Sequence, residues 1–454
     1  MSRPFDTVLI ANRGEIALRV ARTCRELGIK VVAVHSTEDR DSAVVRAADQ
    51  AVQIGPAPAR QSYLNMAAIL EAALRTGAQA IHPGYGFLSE NPDFPEACAA
   101  NGIVFVGPSA AVMARLGDKV AARSLMAEAG LPLLPGSLQP LDNVEDASAV
   151  AAEIGYPVII KAAAGGGGRG LQVVLDKEDF AAQYHATRAV AQSLFGDGRV
   201  YVEQFLPHAR HVEIQVLCDG HGNAVHLGER DCSVQRRHQK LIEETPSPGL
   251  SADVVRRMGE AAVLGARTAG YVGAGTFEFL VDPGGGFSFM EVNCRIQVEH
   301  PVTEMVTGVD LIREQLSIAA GRPLELTQAD IRPVGASIEC RVNAENPDVD
   351  FAPAPGRLEV FVPPGGPFVR VDTHGYPGYR VSAAYDSLLA KVVVWAPDRD
   401  QAVARMRRAL AEFHVSGPGV HTTIPFLRRV LDHPDFRSGR HGTDLIARLP
   451  SGPA

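Results

Sequence analysis

The N-terminal region alternates short apolar runs with segments of helical periodicity, and this alternation constrains the fold more than any other feature. Residues 7–11 have the pattern of a buried strand, and residues 15–28 carry apolar residues at helical spacing and end on glycine. Further strands are predicted at 31–34, 79–81 and 103–106. Short strands separated by helices predict a parallel sheet with helical crossovers.

The pattern changes near Gly130, and the chain length of 454 residues suits about three domains. We expect an α/β domain at 1–130, a small domain at 131–205, a domain with antiparallel strands at 206–448 and a tail at 449–454. The small domain contains strands and a helix at about 177–194. The predicted class is α/β, or α+β for the chain as a whole.

Two hairpins are predicted in the region after residue 206. One has a strand at 211–216, in which polar and apolar residues alternate, and a turn cluster at 219–223. The other joins strands at 275–280 and 287–293 through the turn DPGGG at 282–286.

Composition excludes several classes of protein. The formal net charge of −8 argues against a general nucleic-acid binder and against attraction to an anionic membrane. No apolar run approaches the ~20 residues that span a bilayer, and the N-terminus lacks the apolar stretch of a secretory signal. The six cysteines have no C-x-x-C spacing, and six in 454 residues is typical of a reducing compartment rather than of a disulfide framework. We expect a cytoplasmic protein.

The segment KAAAGGGGRG at 161–170 contains four consecutive glycines between two apolar runs, 156–160 and 171–175. Strand-like flanks indicate the tip of a hairpin, whereas a flexible linker is usually polar around its glycines. Glycine N–H groups can approach an anion closely, and Lys161 and Arg169 add positive charge. No Walker A motif occurs. The glycine loop alone leaves two alternatives, a nucleotide lid and a plain surface hairpin.

Glu278 and Glu291 lie on the two strands of the second hairpin, and Asn293 shares the face of Glu291. Paired carboxylates with a further oxygen donor favour Mg²⁺ or Mn²⁺ over zinc. The alternative is two solvated glutamates on an exposed face, because the sequence does not determine the register and a one-residue slip separates them.

The second hairpin runs directly into EVNCRIQVEHPVTE at 291–304, and with this segment the chain resembles biotin carboxylases, the ATP-grasp component of biotin-dependent carboxylases. The resemblance covers about residues 5–448. Other matching segments are ANRGEIALR (11–19), GPAPARQSYLN (55–65), IHPGYGFLSENPDF (81–94), GDK (117–119), KAAAGGGGRG (161–170), HVEIQV (211–216), ERDCSVQRRHQK (229–240), GTFEF (275–279) and ECRVNAE (339–345).

The resemblance implies an N-terminal α/β domain, a small ATP-grasp lid and a C-terminal domain with an antiparallel sheet. It also implies a two-step reaction. Bicarbonate attacks the γ-phosphate of ATP, with two Mg²⁺ or Mn²⁺ ions, and gives carboxyphosphate. The carboxyl group, released as CO₂, is then taken up by N1 of biotin on a carrier protein.

The residues that the resemblance implies for the nucleotide and the metal come from six of these segments and from the hinge at 203–206. Glu203 to Leu206 match the hinge that holds adenine, and the alternative for Lys119 is a surface lysine. The implied ATP contacts are Lys119, Lys161, Gly167, Gly168, Glu203, Gln204, Phe205, Leu206, His211, Gln235, His238, Glu278 and Glu291. The implied metal ligands are Glu278, Glu291 and Asn293.

For bicarbonate, the resemblance implies Arg295, Lys240, Gln297 and the backbone of Val298, and a guanidinium fork suits a small planar anion. Glu299 fits the general base.

Arg341 fits the partner of the ureido oxygen of biotin. Its alternative is an ordinary ion pair with Glu339 or Glu345. Tyr85 is a candidate for lining the biotin pocket, and its alternative is a packed core tyrosine.

The run RRHQK at 236–240 carries four basic side chains, which in isolation would suggest a nucleic-acid contact or a solvated strand. Overall acidity, the absence of interleaved aromatic residues and the motif match favour the active site. The nearest alternative is another ATP-grasp carboxylate ligase, and the presence of both RIQVEHPVTE and ECRVNAE argues against it. An alternative from another class is a non-catalytic nucleotide-binding subunit. The presence of Glu299, Glu278, Glu291 and Arg341 argues against that one.

The sequence contains no Met-Lys-Met biotinylation site, and no acyl-transfer region follows. We therefore expect a separate subunit that works with a biotin carboxyl carrier protein and a carboxyltransferase, in an assembly of the acetyl-CoA carboxylase type. Relatives with this layout are usually homodimers. No nucleic-acid or membrane partner is expected.

Overall fold

The computed structural model of the protein describes residues 3–164 and 169–449. Its N-terminal part is a five-stranded parallel sheet in the order β3-β2-β1-β4-β5. The strands are β1 (Thr7–Ile10), β2 (Lys30–Ser36), β3 (Gln50–Gly55), β4 (Ala80–His82) and β5 (Val104–Phe105). The helices are α1 (Gly14–Glu26), α2 (Ala43–Ala47), α3 (Met66–Thr76), α4 (Asp93–Ala100), α5 (Ala110–Gly117) and α6 (Lys119–Glu128).

The parallel sheet confirms the expectation drawn from the alternating pattern. The predicted strands correspond to β1, β2, β4 and β5, whose apolar runs are largely buried. The edge strand β3 was not predicted. Its sequence QAVQIG interrupts the apolar residues with glutamine, and only Ile54 is buried, so it carries no continuous apolar run.

A second, three-stranded antiparallel sheet has the order β7-β6-β8. Its elements are α7 (Val144–Ile154), β6 (Val158–Ala162), β7 (Leu171–Val174), α8 (Phe180–Phe195) and β8 (Val200–Gln204). The glycine loop joins β6 to β7, so the predicted hairpin is confirmed. Residues 165–168, which include Gly167 and Gly168, lie outside the described residues.

The largest sheet has eight antiparallel strands in the order β13-β12-β9-β10-β11-β14-β21-β19. Its first strands are β9 (Arg210–Cys218), β10 (Ala224–Arg236), β11 (Gln239–Thr245), β12 (Gly273–Val281) and β13 (Phe287–Asn293). Both predicted hairpins, β9–β10 and β12–β13, are present. The accompanying helices are α9 (Ala252–Ala269), α10 (His300–Thr307) and α11 (Leu311–Ala319).

The C-terminal part completes this sheet. The remaining strands are β14 (Ala336–Asn343), β15 (Glu345–Asn346), β16 (Ala352–Pro353), β17 (Gly356–Arg357), β18 (Val360–Val362), β19 (Val369–Thr373), β20 (Arg380–Val381), β21 (Leu388–Ala396) and β22 (His414–Ser416). The last helices are α12 (Arg399–Glu412), α13 (Ile424–Asp432) and α14 (Pro434–Arg437). Because β14 pairs with β11, strands from the two halves of the region after residue 206 lie side by side.

Within the described residues, no helix combines the length and the apolar character that a membrane crossing requires.

Candidate active site

A cavity of about 1130 Å³ opens between the three sheets. Its walls come from the loops after β1 and β4, from the small three-stranded sheet and from the edge of the large sheet that carries β12 and β13. Ile159, Leu280 and Met290 contribute apolar surface, while lysine, arginine and glutamate side chains gather along the rest. A mixed apolar and charged cleft of this size is typical of a nucleotide site.

Glu278 and Glu291 are directly opposite each other in the β12–β13 register, which the sequence left undetermined. Asn293 donates its side-chain N–H to Glu278 Oε1 at 2.8 Å, so all three polar groups converge. All three line the cavity. The Asn293 amide oxygen accepts from Arg295 Nη2 at 3.1 Å. Two carboxylates and an amide supply the oxygen ligands that Mg²⁺ prefers.

Lys119 reaches these carboxylates from the start of α6. Asp118 caps that helix by accepting from Val120 N and Ala121 N, which fixes where Lys119 leaves the backbone. The Lys119 Nζ lies 2.6 Å from Glu291 Oε2. Burial alone would lower the pKa of Lys119, but the Glu291 carboxylate outweighs it and raises that pKa. An ammonium group beside paired carboxylates is well placed to contact a phosphate that is bound to a metal ion.

His211, on β9, contacts the other oxygen of the central carboxylate. Its Nε2 is 2.9 Å from Glu278 Oε2. Burial favours a neutral imidazole, yet the Glu278 carboxylate outweighs burial and raises the pKa of His211. Glu278 correspondingly has a lowered pKa, because Lys240 and His211 offset the cost of its burial. Glu278 is therefore ionised, as a metal ligand must be.

The hinge at 203–206, which begins at the end of β8, has one residue behind the cavity wall and three that face the cavity. The Glu203 side chain is buried, pairs with Arg123, and has Oε2 2.5 Å from Lys161 Nζ. It does not line the cavity, whereas Lys161 does. Burial would raise the pKa of Glu203, but Lys161 and Arg123 lower it. The Glu203 carboxylate thus anchors Lys161 from behind.

The rest of the hinge faces the cavity. Gln204, Phe205 and Leu206 all contribute to its wall. Gln235 and His238, at the β10–β11 turn, also line it. His238 has a positive φ of 64°, which this tight turn imposes. Burial, with Lys161 and His211 nearby, lowers the pKa of His238, so its imidazole is neutral near pH 7.

Arg295 follows β13 and forms the far wall of the cavity. Its guanidinium contacts Glu90 Oε2 at 2.9 Å and Gln297 Oε1 at 2.9 Å. The Gln297 amide nitrogen is buried and has no hydrogen-bond partner among the described residues, although Gln297 lines the cavity. An unpartnered donor beside a guanidinium fits an oxygen of a small anion.

Lys240 is the central cation of the site. Its Nζ lies 2.6 Å from Glu213 Oε2, 3.0 Å from Glu278 Oε1 and 2.6 Å from Glu299 Oε1. These carboxylates raise the pKa of Lys240 well above its usual range, despite burial. The ammonium lines the cavity, so it links the carboxylates of the metal region to those behind Arg341.

Glu299 lies behind this wall of cations. Its two oxygens contact Lys240 and Arg341, the latter at 2.8 Å, and its side chain is 0% exposed. It does not line the cavity, whereas Lys240 and Arg341 do. Burial would raise the pKa of Glu299, but Lys240 and Arg341 outweigh it and hold the pKa well below 4.5. Glu299 is therefore ionised at neutral pH.

Arg341, on β14, bridges two glutamates. Its Nε donates to Glu243 Oε1 at 2.6 Å and its Nη2 to Glu299 Oε2 at 2.8 Å. The sequence suggested Glu339 or Glu345 as ordinary ion-pair partners, and neither forms that contact. Pairing with Glu299 joins Arg341 to the predicted site.

Tyr85 and Val298 lie where the N-terminal sheet meets this wall. The Tyr85 ring is half-buried and lines the cavity, and its hydroxyl donates to Glu15. The ring thus lines the cavity and also packs on the core, and its contact with biotin stays a prediction. The Val298 carbonyl accepts from Lys391 Nζ at 2.8 Å, which holds the Val298 backbone at the cavity edge.

Sequence reasoning missed the buried carboxylates that hold these cations. Glu213 was detectable, because it shares the polar face of β9 with His211. Glu90 lies within the matched segment 81–94. Glu243 gave no signal, since the segment LIEET has neither a motif nor a clean alternation. Its position depends on the pairing of β11 with β14.

Three family models match successive parts of the chain. The biotin carboxylase N-terminal domain matches residues 4–113. The ATP binding domain of the carbamoyl-phosphate synthase L chain matches residues 118–327. The biotin carboxylase C-terminal domain matches residues 339–448.

Similar proteins cover nearly the whole chain. A biotin carboxylase from Nostoc sp. is 52% identical over 445 residues, which are 98% of this chain and 99% of the relative. The biotin carboxylase–β-γ-ATP complex from Campylobacter jejuni superposes with a TM-score of 0.95 at 47% identity, covering 98% of this chain and 99% of that one.

A third similar structure contains the same kind of domain in another enzyme. It is the biotin carboxylase domain dimer of 2-oxoglutarate carboxylase from Hydrogenobacter thermophilus, in complex with MgADP, ADP and bicarbonate. Its TM-score is 0.94 at 47% identity, covering 98% of this chain and 97% of that one. With these matches over nearly its full length, the chain belongs to the biotin carboxylase family of ATP-grasp ligases.

Proposed function

We propose that the chain carboxylates biotin on a carrier protein, using bicarbonate and MgATP, and releases ADP and phosphate. One observation carries this proposal. Lys240, Arg295 and Arg341 present three cations to the cavity next to the paired carboxylates Glu278 and Glu291. A site for an anionic carboxyl source therefore adjoins a site for a metal-bound triphosphate.

In the nucleotide site, Lys119 and Lys161 contact the phosphates, and the hinge 203–206 holds adenine with His211, Gln235 and His238. Gly167 and Gly168 belong to the same proposal as the cover over the phosphates. Glu278, Glu291 and Asn293 would hold Mg²⁺ or Mn²⁺, which when bound neutralises charge on the phosphate oxygens.

In the first step, bicarbonate binds to Arg295, Lys240, Gln297 and the backbone of Val298. Its oxygen attacks the γ-phosphorus, the bond to ADP breaks, and carboxyphosphate forms. Glu299 accepts the bicarbonate proton as general base. Because Lys240 holds Glu299 ionised but weakly basic, a bicarbonate anion that draws Lys240 toward itself raises the basicity of Glu299 at the moment of transfer.

In the second step, carboxyphosphate separates into CO₂ and phosphate, and biotin N1 attacks CO₂. The N1 proton passes to the released phosphate, or to Glu299 after Glu299 has given the bicarbonate proton to that phosphate. Negative charge develops on the ureido oxygen of biotin, and Arg341 stabilises it from the cavity wall. Tyr85 lines the pocket for the biotin ring.

The proposal is tested by measuring ADP release by the purified chain with Mg²⁺ and ATP, with and without bicarbonate and free biotin. We expect release that requires bicarbonate, rises with biotin and is accompanied by carboxybiotin. If neither addition had an effect but another carboxylate and an amine did, the chain would be a different ATP-grasp ligase.

We further propose that the chain forms a homodimer and works with a biotin carboxyl carrier protein and a carboxyltransferase, as in acyl-CoA carboxylases of the acetyl-CoA type. The carboxyltransferase then determines the final acceptor. The domain division at residues 130 and 205 is part of this proposal, with 131–205 as the lid. A cytoplasmic location agrees with six free, buried cysteines.

A further inference from the structure

Two buried carboxyl groups behind Arg341 have no role in the steps above. Glu243 on β11 and Glu339 on β14 are directly opposite each other in the antiparallel register. Both side chains are fully buried. Side chains directly opposite on antiparallel strands have Cβ atoms roughly 4.5–5.5 Å apart. The two carboxyl groups are therefore close neighbours in a buried layer.

Their hydrogen-bond partners are unequal. Glu243 Oε1 accepts from Arg341 at 2.6 Å, but Glu243 Oε2 has no partner among the described residues. Both oxygens of Glu339 are also buried and unpartnered within that part of the chain. A buried carboxylate without a donor is costly, and a second carboxylate beside it adds repulsion. Two ionised groups here would be unstable.

A count of local charges leads to the same conclusion. The buried carboxylates are Glu213, Glu243, Glu299 and Glu339, and the cations bonded among them are Arg230, Lys240 and Arg341. Four carboxylates thus face three cations, and Lys240 is also shared with Glu278. One proton balances the excess, and of these four carboxyl groups Glu339 is the one without a cation partner among the described residues.

Groups on the neighbouring strands do not change this assignment. Lys391, on β21, pairs with Glu15 at 3.1 Å rather than with Glu339. Glu244 pairs with Arg399, and the Cys340 thiol is neutral because burial raises its pKa. Burial raises the pKa of Glu339 well above 4.5 against the opposing effect of Lys391. Burial also raises the pKa of Glu243, to about 7, although Arg341 opposes it.

We propose that Glu339 is a neutral carboxylic acid that donates its proton in a hydrogen bond to Glu243, and that this pair positions Arg341. The inference deepens the proposed function and rests on it, since Arg341 is there the partner of the ureido oxygen. A neutral Glu339 satisfies Glu243 Oε2 without adding charge. An ionised Glu339 would attract the Arg341 guanidinium toward its own carboxylate and away from biotin.

Infrared spectroscopy tests the proton directly and needs no activity. In the wild-type protein at neutral pH, we expect a carbonyl-stretching component from a protonated carboxylic acid that Glu339→Gln removes. The matched control is Glu244→Gln, which alters the adjacent buried glutamate on β11 and should leave that component unchanged. A spectrum that is the same in Glu339→Gln and wild type would overturn the assignment.

Kinetics tests the positioning role. Glu339→Gln keeps a neutral donor, so we expect kcat/KM for biotin within about threefold of wild type. Glu339→Ala leaves Glu243 Oε2 unpartnered and should lower that constant by about tenfold, with bicarbonate-dependent ADP release in the absence of biotin nearly unchanged. Equal losses in both assays for Glu339→Ala would contradict positioning and indicate a structural role.

Failure of the proposed function would look different. If the wild-type chain released ADP without any response to bicarbonate or biotin, the carboxylation proposal would fail, while the infrared component lost in Glu339→Gln would still report the neutral acid. If carboxybiotin formed but that component were absent, only the inference about Glu339 would fail.

Discussion

The two ends of the cavity place their glutamates differently with respect to a ligand. At the metal end, the carboxylates of Glu278 and Glu291 line the cavity beside their cationic partners Lys119 and His211, and the Glu291 side chain is 26% exposed. At the anion end, Lys240 and Arg341 line it, and Glu299 lies behind them with 0% exposure. The glutamates at both ends are bonded to lysine, arginine or histidine, but only at the metal end do the carboxylates share the cavity surface with their partners.

This difference in the position of the glutamates shows how one cleft can bind a metal and an anion side by side. A carboxylate in the outer layer can exchange its ammonium partner for a divalent cation. A cation in the outer layer can attract bicarbonate only if anions behind it offset the cost of burying its charge. The buried glutamates therefore keep Lys240 and Arg341 charged and in place.

The largest effect should come from the buried glutamate at the anion end. Glu299→Gln keeps the size of the side chain but removes the proposed base and one carboxylate partner of Lys240. We expect bicarbonate-dependent ADP release to fall by about a thousandfold. MgATP binding, measured by calorimetry, should be nearly unchanged, because the metal end stays intact. Near-normal turnover would remove Glu299 as the base.

The next effect concerns the outer cation. Arg341→Ala should lower biotin-dependent turnover by about a hundredfold, since it removes the charge opposite the ureido oxygen. ADP release without biotin should change much less. The two rates are measured on the same preparation, and an equal fall in both would indicate that Arg341 supports the fold of the site rather than biotin.

The metal end should respond to magnesium rather than to bicarbonate. In Glu291→Gln the outer carboxylate becomes neutral, and we expect the Mg²⁺ concentration for half-maximal ADP release to rise by at least about tenfold. Chelation with EDTA should abolish activity in both proteins. A magnesium dependence unchanged from wild type would contradict the assignment of Glu291 as a ligand.

The smallest effect is on stability. Glu243 binds its proton more tightly in the folded chain, with a pKa of about 7 against an ordinary 4.5. Its contribution to stability is therefore complete below pH 4.5 and is lost as pH rises through about 7. Relative to Glu243→Gln, the wild-type free energy of unfolding should fall over this window by about 1 kcal/mol per pH unit.

Urea midpoints at several pH values measure this difference, because carboxylates away from the Glu243–Glu339 pair titrate alike in both proteins and cancel. Glu244→Gln is the control, since Glu244 is paired with Arg399. If wild type and Glu243→Gln kept a constant difference between pH 4.5 and 7, the raised pKa of Glu243 would be refuted.

Much of the fold was predictable from local pattern. The apolar runs at β1, β2 and β4 and the turn residues at 219–223 and 282–286 specify strands and hairpins through neighbours in sequence. The edge strand β3 was not predictable, because pairing with β2 rather than its own composition defines it. The register of the strand pairs could not be predicted for the same reason, since it depends on contacts between strands.

For the site, motif residues such as Lys119, Glu278 and Arg295 were named from the sequence, and the structure brings them to one cavity. Their supporting carboxylates could not all be named. Glu243 meets Arg341 only because β11 pairs with β14, almost a hundred residues later in the chain.

The sequence by itself determined the alternating and antiparallel elements, the family and the residue types that carry the chemistry, because these depend on local spacing and motif. Only the tertiary structure decided which charges face the cavity and which lie behind them. That order arises from strand register and burial, which set the electrostatic partner of every ionisable group in the site.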